Sequence, residues 1–335
     1  KIAENVRTAL HKLPQTKEEL TWRQKDLLKE LKKAYERLND YEKKLLSETE
    51  REQIESYLPE EKGHQKTIFE AMNYSVKAGG KRLRPLFMQE ICRLFTGEVQ
   101  PVVVPFMAAI EMIHTSSLVH DDLPCMDDDM MRRGQASTWA EYGEDMGVLA
   151  GDALMIYAFE VAAKAFKEVS DADDLKRVGR AIEILASKTG IYGMIGGQTV
   201  DVELAGGPIP KNKLDFIYRL KTGALIEASM LIGAVLGGAA EEDCKIVESL
   251  AGKVGLAFQI QDDILDVTGD QEVLGKEAGS DEKNQKTTYV TLEGLEKAKK
   301  DVEALSVQAI EDLNKLPGNN EFLENLIRIL IKRQK

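Results

Sequence analysis

Apolar residues recur at intervals of three and four along most of the chain, which is the spacing of one face of an α-helix. Alternating patterns typical of strands are scarce, and the best candidate, the three valines at 102–104, lies between Pro101 and Pro105. Glycine and proline residues typical of helix ends and turns occur at positions 79–80, 97, 101, 124, 143, 206–208, 269 and 317. The pattern predicts an all-α protein in which short connections join long helices.

The first part of the chain mixes acidic and basic residues and carries a heptad-like apolar seam. The seam consists of Leu20, Leu27, Leu31, Ala34, Leu38, Tyr41 and Leu45. We therefore predict an N-terminal amphipathic helical extension at 1–46 and a main domain at 47–335. The extension packs against the body of the chain or binds a partner, and its seam is short for an independent coiled coil.

Charge and hydropathy exclude several classes of protein. The 335 residues include 57 acidic and 45 basic ones, a net charge of −12, which excludes nucleic-acid binding through a basic surface. The mean hydropathy is −0.30, and the chain has no run of about 18 uncharged apolar residues, so we expect no stable membrane insertion. Residues 1–15 lack the apolar segment of a secretory signal, and we expect a cytoplasmic location.

Cysteine and histidine patterns predict neither a disulfide framework nor a zinc site. Cys92, Cys125 and Cys244 are far apart, and the four histidines have no partner at the spacing of metal ligands. Any metal site must therefore use oxygen ligands.

The first aspartate-rich stretch follows an apolar helix expected to begin near Pro105. His114, Ser117 and Asp121 are spaced three and four residues apart and share one helix face. Pro124 forces a turn that can bring Asp127 back towards Asp121. Such oxygen ligands suit Mg²⁺, whereas the glycine and glutamate of a calcium-binding EF-hand loop are missing. The alternative is a solvated acidic helix end.

The second aspartate-rich stretch lies within a helix expected from about Ala251. Asp262 and Asp266 are four residues apart and share a face, and Asp263 points about 100° away. Three carboxylates among apolar neighbours repel one another unless cations neutralise them. The alternative, the solvated side of an amphipathic helix, is weakened because apolar residues separate the aspartates on several sides.

Two acidic clusters together predict a bound diphosphate, because Mg²⁺ prefers one or two carboxylates and completes its octahedron with waters and substrate phosphates. The chain also has basic residues in glycine-rich or apolar contexts that could bind a diphosphate. They are Lys81, Arg82, Arg84, Arg132, Arg133, Lys221, Lys276 and Lys286. Each one alone is typical of a solvated surface.

The order of these motifs resembles that of the trans-isoprenyl diphosphate synthases, the family of farnesyl and geranylgeranyl diphosphate synthases. The motifs are GGKRLRP at 79–85, HDDLPCMDDD at 120–129, GGQTVD at 196–201, KTG at 221–223 and FQIQDDILD at 258–266. The resemblance covers about residues 50–335. It implies the isoprenoid synthase fold, a helical bundle around a central apolar cavity, and a homodimer.

The resemblance also implies the ligands of the metal and of the two substrates. The metal ligands, for about three Mg²⁺ ions, would be Asp121, Asp122, Asp127, Asp262, Asp263 and Asp266. The allylic diphosphate would be bound by Arg132, Lys221, Thr222, Gln259, Lys276 and Lys286. Isopentenyl diphosphate would be bound by Lys81, Arg84, His114 and Arg133.

The implied reaction is a prenyl transfer through a carbocation. Mg²⁺ and basic residues stabilise the leaving diphosphate, the allylic C–O bond ionises, and the double bond of isopentenyl diphosphate attacks the cation. The residues expected to carry catalysis are Asp121, Asp127, Asp262, Lys221 and Arg132. This route needs no side-chain nucleophile, and no Ser/His/Asp or Cys/His set is found.

Product length in this family depends on the positions four and five residues before the first motif, which here are Ser117 and Ser116. Two serines leave the channel open, which predicts geranylgeranyl diphosphate (C20). Farnesyl diphosphate (C15) is the alternative, because Met155 or Phe159 could close the channel instead.

Two further functions are alternatives. A terpene cyclase also ionises a prenyl diphosphate, but it needs neither GGKRLRP nor a second DDxxD motif. A non-catalytic regulatory subunit would tend to lose an aspartate cluster, and both are intact here.

Overall fold

The computed structural model describes residues 52, 54–268 and 287–332. The predicted extension at 1–46 and the candidate ligands Lys276 and Lys286 lie outside the described residues. The predicted boundary between 46 and 47 therefore stays a prediction.

The described part of the chain is almost entirely helical, which confirms the all-α prediction. Its helices are α1 (Lys66–Lys77), α2 (Leu83–Thr96), α3 (Val104–Asp121), α4 (Thr138–Tyr142), α5 (Glu144–Ala163), α6 (Ala172–Thr189), α7 (Met194–Glu203), α8 (Lys211–Ile217), α9 (Ala224–Leu236), α10 (Glu241–Thr268), α11 (Tyr289–Glu293), α12 (Leu295–Leu313) and α13 (Glu321–Lys332). Short 3₁₀ turns at Pro101–Val103 and Lys164–Lys167 precede α3 and follow α5, and a π-helical segment, Tyr218–Gly223, joins α8 to α9. The exception is a two-residue antiparallel pair, β1 (Met131–Arg132) and β2 (Gln135–Ala136).

Helix α3 lies at the centre of the fold. Its side chains are apolar on nearly every side, and Phe106, Met107, Ile110 and Ile113 are fully or almost fully buried. A helix that is apolar all round is stable in water only when neighbours cover it. Helices α1, α2, α5 and α9 all pack against α3.

Two helical segments, Pro101–Asp121 and Glu144–Lys167, are long and apolar enough to cross a membrane by length and composition alone. The first is 78% buried inside the fold, as a core helix is. The second is less covered, and Ile156 on α5 is 72% exposed. Charged residues such as Glu111 and Asp152 interrupt both segments. The expectation of no stable membrane insertion stays a prediction.

The structure confirms one predicted helix start and corrects another. Helix α3 begins at Val104, next to the predicted Pro105. Helix α10 begins at Glu241, ten residues before the predicted start near Ala251. Three acidic residues in its first turn stabilise that end through the helix dipole. The prediction used apolar periodicity alone, which does not detect a polar first turn.

Helices α2 and α9 cross closely because a glycine lies at their contact. A Cβ atom on Gly233 would lie 2.2 Å from the carbonyl oxygen of Met88. No side chain fits between the two backbones, so the crossing requires glycine at this position.

We expect Gly233→Ala to destabilise the fold, because the methyl group must push α9 away from α2, at a cost of about 1–3 kcal/mol. The matched control is Gly179→Ala on α6, where a Cβ atom meets nothing within 4 Å. That control should stabilise the chain by about 0.4–1 kcal/mol, because alanine loses less backbone entropy on folding. Denaturant unfolding of both variants measures the difference, and equal stabilities would contradict the close crossing.

Candidate active site

One cavity of about 1090 Å³ lies between α2, α3, α5, α7, α10 and the π-helical segment. The predicted site residues that line it are Lys81, Arg84, His114, Ser117, Asp121, Arg133, Lys221, Thr222, Gln259 and Asp262. The predicted residues outside its lining are Ser116, Asp122, Asp127, Arg132, Asp263 and Asp266. The structure therefore brings both aspartate-rich stretches and the basic motifs to a single cavity.

The C-terminal half of α3 contributes three predicted residues to this cavity. His114, Ser117 and Asp121 all line it, as their spacing on one helix face predicts. After α3 the chain turns through Pro124, and the backbone N–H of Asp127 donates to the carbonyl oxygen of Asp121 at 2.9 Å. The turn thus brings Asp127 back to Asp121, as predicted.

The Asp121 carboxylate has two polar neighbours from other helices. Gln198 on α7 donates through Nε2 to Oδ1 at 2.7 Å, and Lys221 Nζ lies 4.0 Å from Oδ2. The pKa of Asp121 is raised to about 6, chiefly by burial; the carboxylates of Asp127 and Asp201 contribute to the rise, and Lys221 and Arg132 oppose it. A divalent cation would favour the ionised form that burial disfavours.

Lys221 connects Asp121 to Asp201. Its Nζ donates to Asp201 Oδ2 at 2.7 Å. Burial by itself lowers the pKa of Lys221, but the two carboxylates outweigh burial and raise it. Lys221 is therefore a stable cation at this end of the cavity.

The π-helical segment explains how Lys221 and Thr222 reach the cavity. A π-helical turn displaces side chains from α-helical positions and is frequent at functional sites. A Cβ atom on Gly197 of α7 would lie 2.3 Å from the backbone nitrogen of Lys221, so only glycine permits this approach. Thr222 Oγ1 donates to Gln259 Oε1 of α10 at 2.7 Å, so two of the residues predicted to bind the allylic diphosphate contact each other.

Asp122, predicted as a metal ligand, and Arg132, predicted to bind the allylic diphosphate, lie outside the cavity lining and contact each other. Asp122 is 2% exposed, and its Oδ1 accepts from Arg132 Nε at 2.9 Å. Arg132 also contacts Asp129 Oδ2 at 3.1 Å. The two side chains join the end of α3 to the β1–β2 hairpin, since a buried carboxylate requires a cationic partner.

Asp263, also predicted as a metal ligand, lies outside the cavity lining. Its buried Oδ2 accepts from the Tyr218 hydroxyl at 2.6 Å and from the Tyr289 backbone N–H at 2.8 Å. The 100° rotation between successive helical residues turns it away from the cavity that Asp262 lines. Asp263 thereby joins α10 to α11 and to the π-helical segment.

Within the described residues, no three carboxylate, histidine or cysteine side chains converge into a group that could hold a metal ion by itself. The oxygen donors at this end of the cavity are Asp121, Asp262 and the adjacent Asp127. Mg²⁺ binds such carboxylates in ones and twos and takes its other ligands from water and phosphate. The donor set therefore fits Mg²⁺ together with a diphosphate.

A second polar region of the cavity carries positive charge. Burial lowers the pKa of Arg84 to about 10, and its buried Nε has no hydrogen-bond partner among the described residues. Arg133 donates to the carbonyl oxygen of Gly79. Burial, together with Arg84 and Arg133, lowers the pKa of His114 well below its ordinary value, so His114 is neutral at pH 7. This region suits an anion that accepts hydrogen bonds.

Several residues of the site have no role in the sequence analysis. Gln198 contacts Asp121, Asp201 contacts Lys221, and Glu111 forms a buried ion pair with Arg82 in the lining of the positive region. Gln198 and Asp201 are three residues apart on one face of α7. This spacing of two polar residues was the feature of the sequence that could have indicated a shared role at the site. Glu111 stands in an apolar stretch, where a single acid indicates a buried partner without identifying it.

The remaining wall of the cavity is mostly apolar. It includes Leu118, Met155, Met194, Ile195 and Leu225.

The two serines near that wall have different environments. Ser117 lies in the lining. Ser116 is fully buried outside it, and its hydroxyl donates to the carbonyl oxygen of Ile113 at 2.8 Å. Of the two alternative residues, Met155 lies in the lining and Phe159 does not.

Comparison with known proteins agrees with this arrangement. The polyprenyl synthetase family profile matches residues 65–325. A chloroplastic geranylgeranyl pyrophosphate synthase from Catharanthus roseus is 45% identical over 247 residues, 73% of this chain and 68% of that protein. Farnesyl diphosphate synthase from Escherichia coli is 41% identical over 273 residues, 80% of this chain and 90% of that protein.

A solved structure has the same fold. The geranyltransferase from Helicobacter pylori, complexed with magnesium and isoprenyl diphosphate, superposes with a TM-score of 0.72 at 31% identity, covering 88% of this chain and 97% of that one. With the family profile, the relatives and the cavity in agreement, this chain belongs to the polyprenyl synthetase family and is a prenyltransferase.

Proposed function

We propose that the chain is a geranylgeranyl diphosphate synthase that condenses isopentenyl diphosphate with an allylic diphosphate. The observation that carries the proposal is the division of one cavity into three regions. Asp121, Asp262 and Lys221 form an end that fits a metal-bound diphosphate, Arg84 and Arg133 lie in a separate positive region, and an apolar wall suits a prenyl tail.

The aspartate end would hold the allylic diphosphate. Asp121, Asp127 and Asp262 would hold Mg²⁺, and about three ions fit the family resemblance. When bound, Mg²⁺ supplies positive charge that stabilises the leaving diphosphate. Lys221 adds a fixed charge there, and Thr222 with Gln259 adds polar groups beside it.

The positive region would hold isopentenyl diphosphate. Lys81, Arg84 and Arg133 supply charge, and neutral His114 can donate an N–H to a phosphate oxygen without adding a further positive charge. His114 and Asp121 lie on the same helix face and both line the cavity, which supports adjacent positions for the two diphosphates. The apolar wall excludes water from the carbocation. A terpene cyclase would not need this second anion site.

A product assay tests the proposal directly. The purified full chain is incubated with isopentenyl diphosphate and a C5, C10 or C15 allylic diphosphate, with Mg²⁺ or with EDTA, and the dephosphorylated products are separated by length. We expect Mg²⁺-dependent C20 product. Asp262→Asn should lower the rate by about a hundredfold or more, because the variant loses a carboxylate that would hold Mg²⁺, whose positive charge stabilises the leaving diphosphate.

The matched control for that variant is Asp243→Asn, the same substitution in the first turn of α10, outside the cavity lining. It should leave turnover unchanged. Product that stops at C15 would favour a farnesyl diphosphate synthase. Absence of elongation would favour the cyclase or the regulatory subunit.

Ser117 is the position that we expect to set chain length. Its small side chain lies in the lining opposite the apolar wall, so Ser117→Phe should shorten the product from C20 to C15 by filling the path of the tail. The sequence predicts a shorter product for Ser116→Phe as well, but the Ser116 side chain is fully buried outside the cavity lining. We expect this variant chiefly to lose about 1–3 kcal/mol of stability through overpacking. Unchanged product length in Ser117→Phe would contradict this account.

We also propose that the chain forms a homodimer through the exposed face of α5. Leu149 and Ile156 are exposed there and line a mostly apolar groove of about 570 Å³ together with Ile68 of α1. A contiguous apolar surface of this kind favours a protein partner.

The cytoplasmic location predicted above stays part of the proposal.

Light scattering should give a mass of twice 37.3 kDa. Ile156→Lys should shift the population towards monomer, because it places a charge in the apolar groove. Val307→Lys on α12 is the matched control, since Val307 is also exposed but lies outside the groove. A monomeric parent chain, or equal behaviour of both variants, would disprove this interface.

A further inference from the structure

A buried acidic residue lines the positive region of the cavity, next to Arg82. Glu111 on α3 is 1% exposed, and its Oε1 accepts from Arg82 Nη1 in an ion pair that is itself almost completely buried. Arg82 also donates through Nη2 to the carbonyl oxygen of Val76 at the end of α1. The guanidinium thus joins three segments of chain, namely α1, α3 and the residue that precedes α2.

Arg82 has an unusual backbone conformation. It is the N-cap residue of α2, with φ of +52° in the left-handed region that non-glycine residues rarely adopt. Such a conformation persists only where the surroundings fix it. The described contacts that fix its side chain are those with Glu111 and Val76.

The backbone at Arg82 orients the neighbours that would bind isopentenyl diphosphate. Lys81 precedes it, Arg84 opens the first turn of α2, and both line the cavity. The same loop meets Arg133, because a Cβ atom on Gly80 would lie 2.7 Å from that guanidinium. A small rotation at Arg82 would therefore displace all three cations.

We propose that Glu111 is a positioning residue that holds Arg82 and thereby fixes Lys81, Arg84 and Arg133 for the diphosphate of isopentenyl diphosphate. The inference rests on the proposed function, because that function supplies the identity of the anion. Glu111 lines the cavity, but a carboxylate repels a diphosphate and its Oε1 already accepts from Arg82, so Glu111 would act through Arg82.

Glu111 affects binding of the anion in two opposite ways, through repulsion and through the position of Arg82. Its negative charge repels a diphosphate, but the buried pair with Arg82 already neutralises that charge locally. Removing the charge leaves the buried Arg82 guanidinium with the Val76 carbonyl oxygen but without a charged partner, which is costly and favours its movement towards water or into the cavity. The loss of loop geometry therefore outweighs the relief of repulsion, and affinity for isopentenyl diphosphate falls.

The experiment compares Glu111→Gln with the parent chain. Calorimetry measures binding of isopentenyl diphosphate to the full chain, and steady-state kinetics measures KM for each substrate. We expect Glu111→Gln to weaken isopentenyl diphosphate binding by about tenfold or more, with KM for the allylic diphosphate unchanged. Glu111→Asp, which keeps the charge, should recover part of the affinity.

Glu227→Gln is the matched control. Glu227 is also a buried carboxylate in an ion pair, with Lys188 at 2.6 Å, but it lies outside the cavity lining. It should lower thermal stability without changing either KM. The double variant Arg82→Met with Glu111→Leu removes both charges together, and we expect it to recover thermal stability but not affinity.

Equal binding of isopentenyl diphosphate by Glu111→Gln and the parent chain would overturn the inference, and so would tighter binding or an equal rise in both KM values. Calorimetry does not require turnover. A parent chain that binds isopentenyl diphosphate but elongates no allylic substrate would disprove the proposed function, while the comparison of Glu111 variants would still decide the role of this residue. If Glu111→Gln does not fold, Glu111→Asp and the double variant decide it.

Discussion

The structure depends on the pairing of charges that are buried among apolar helices. Helix α3 must be buried because it is apolar on nearly all sides, yet it carries Glu111, His114 and Asp121 into the same interior. An isolated buried charge costs several kcal/mol, so each of these groups requires a partner or must become neutral. Helices packed around α3 supply the partners, and His114 becomes neutral.

This requirement divides the carboxylates of the two aspartate-rich stretches into two kinds. Asp122 and Asp263 are buried and fully engaged with Arg132 and with Tyr218, so they hold the helix ends in place. Asp121 and Asp262 reach the cavity and can meet a ligand. The supporting carboxylates therefore orient the ligand-facing ones, although both kinds come from the same short motifs.

The two charged regions of the cavity differ in their balance of charge. At the aspartate end, the carboxylates that the structure describes outnumber the described lysine, Lys221, so a phosphate there would need metal ions. In the other region, Arg84 and Arg133 line the cavity with Glu111, which is paired with Arg82, so an anion would meet positive charge directly. The proposed positions of the two diphosphates follow from this difference.

The sequence by itself determined the helical class, several of the turns between helices and the two aspartate-rich stretches, because helical periodicity and turn residues act over a few neighbours. It also predicted that His114, Ser117 and Asp121 share a face, since one helix carries all three. Only the tertiary structure decided that Ser117 faces the cavity and Ser116 does not.

The local sequence pattern likewise did not predict which residue pairs with each buried charge. Gln198 lies 77 residues from Asp121, and Arg82 lies 29 residues from Glu111. Contacts between such distant positions arise only when helices pack, because burial, not local sequence, forces each charge to find its partner.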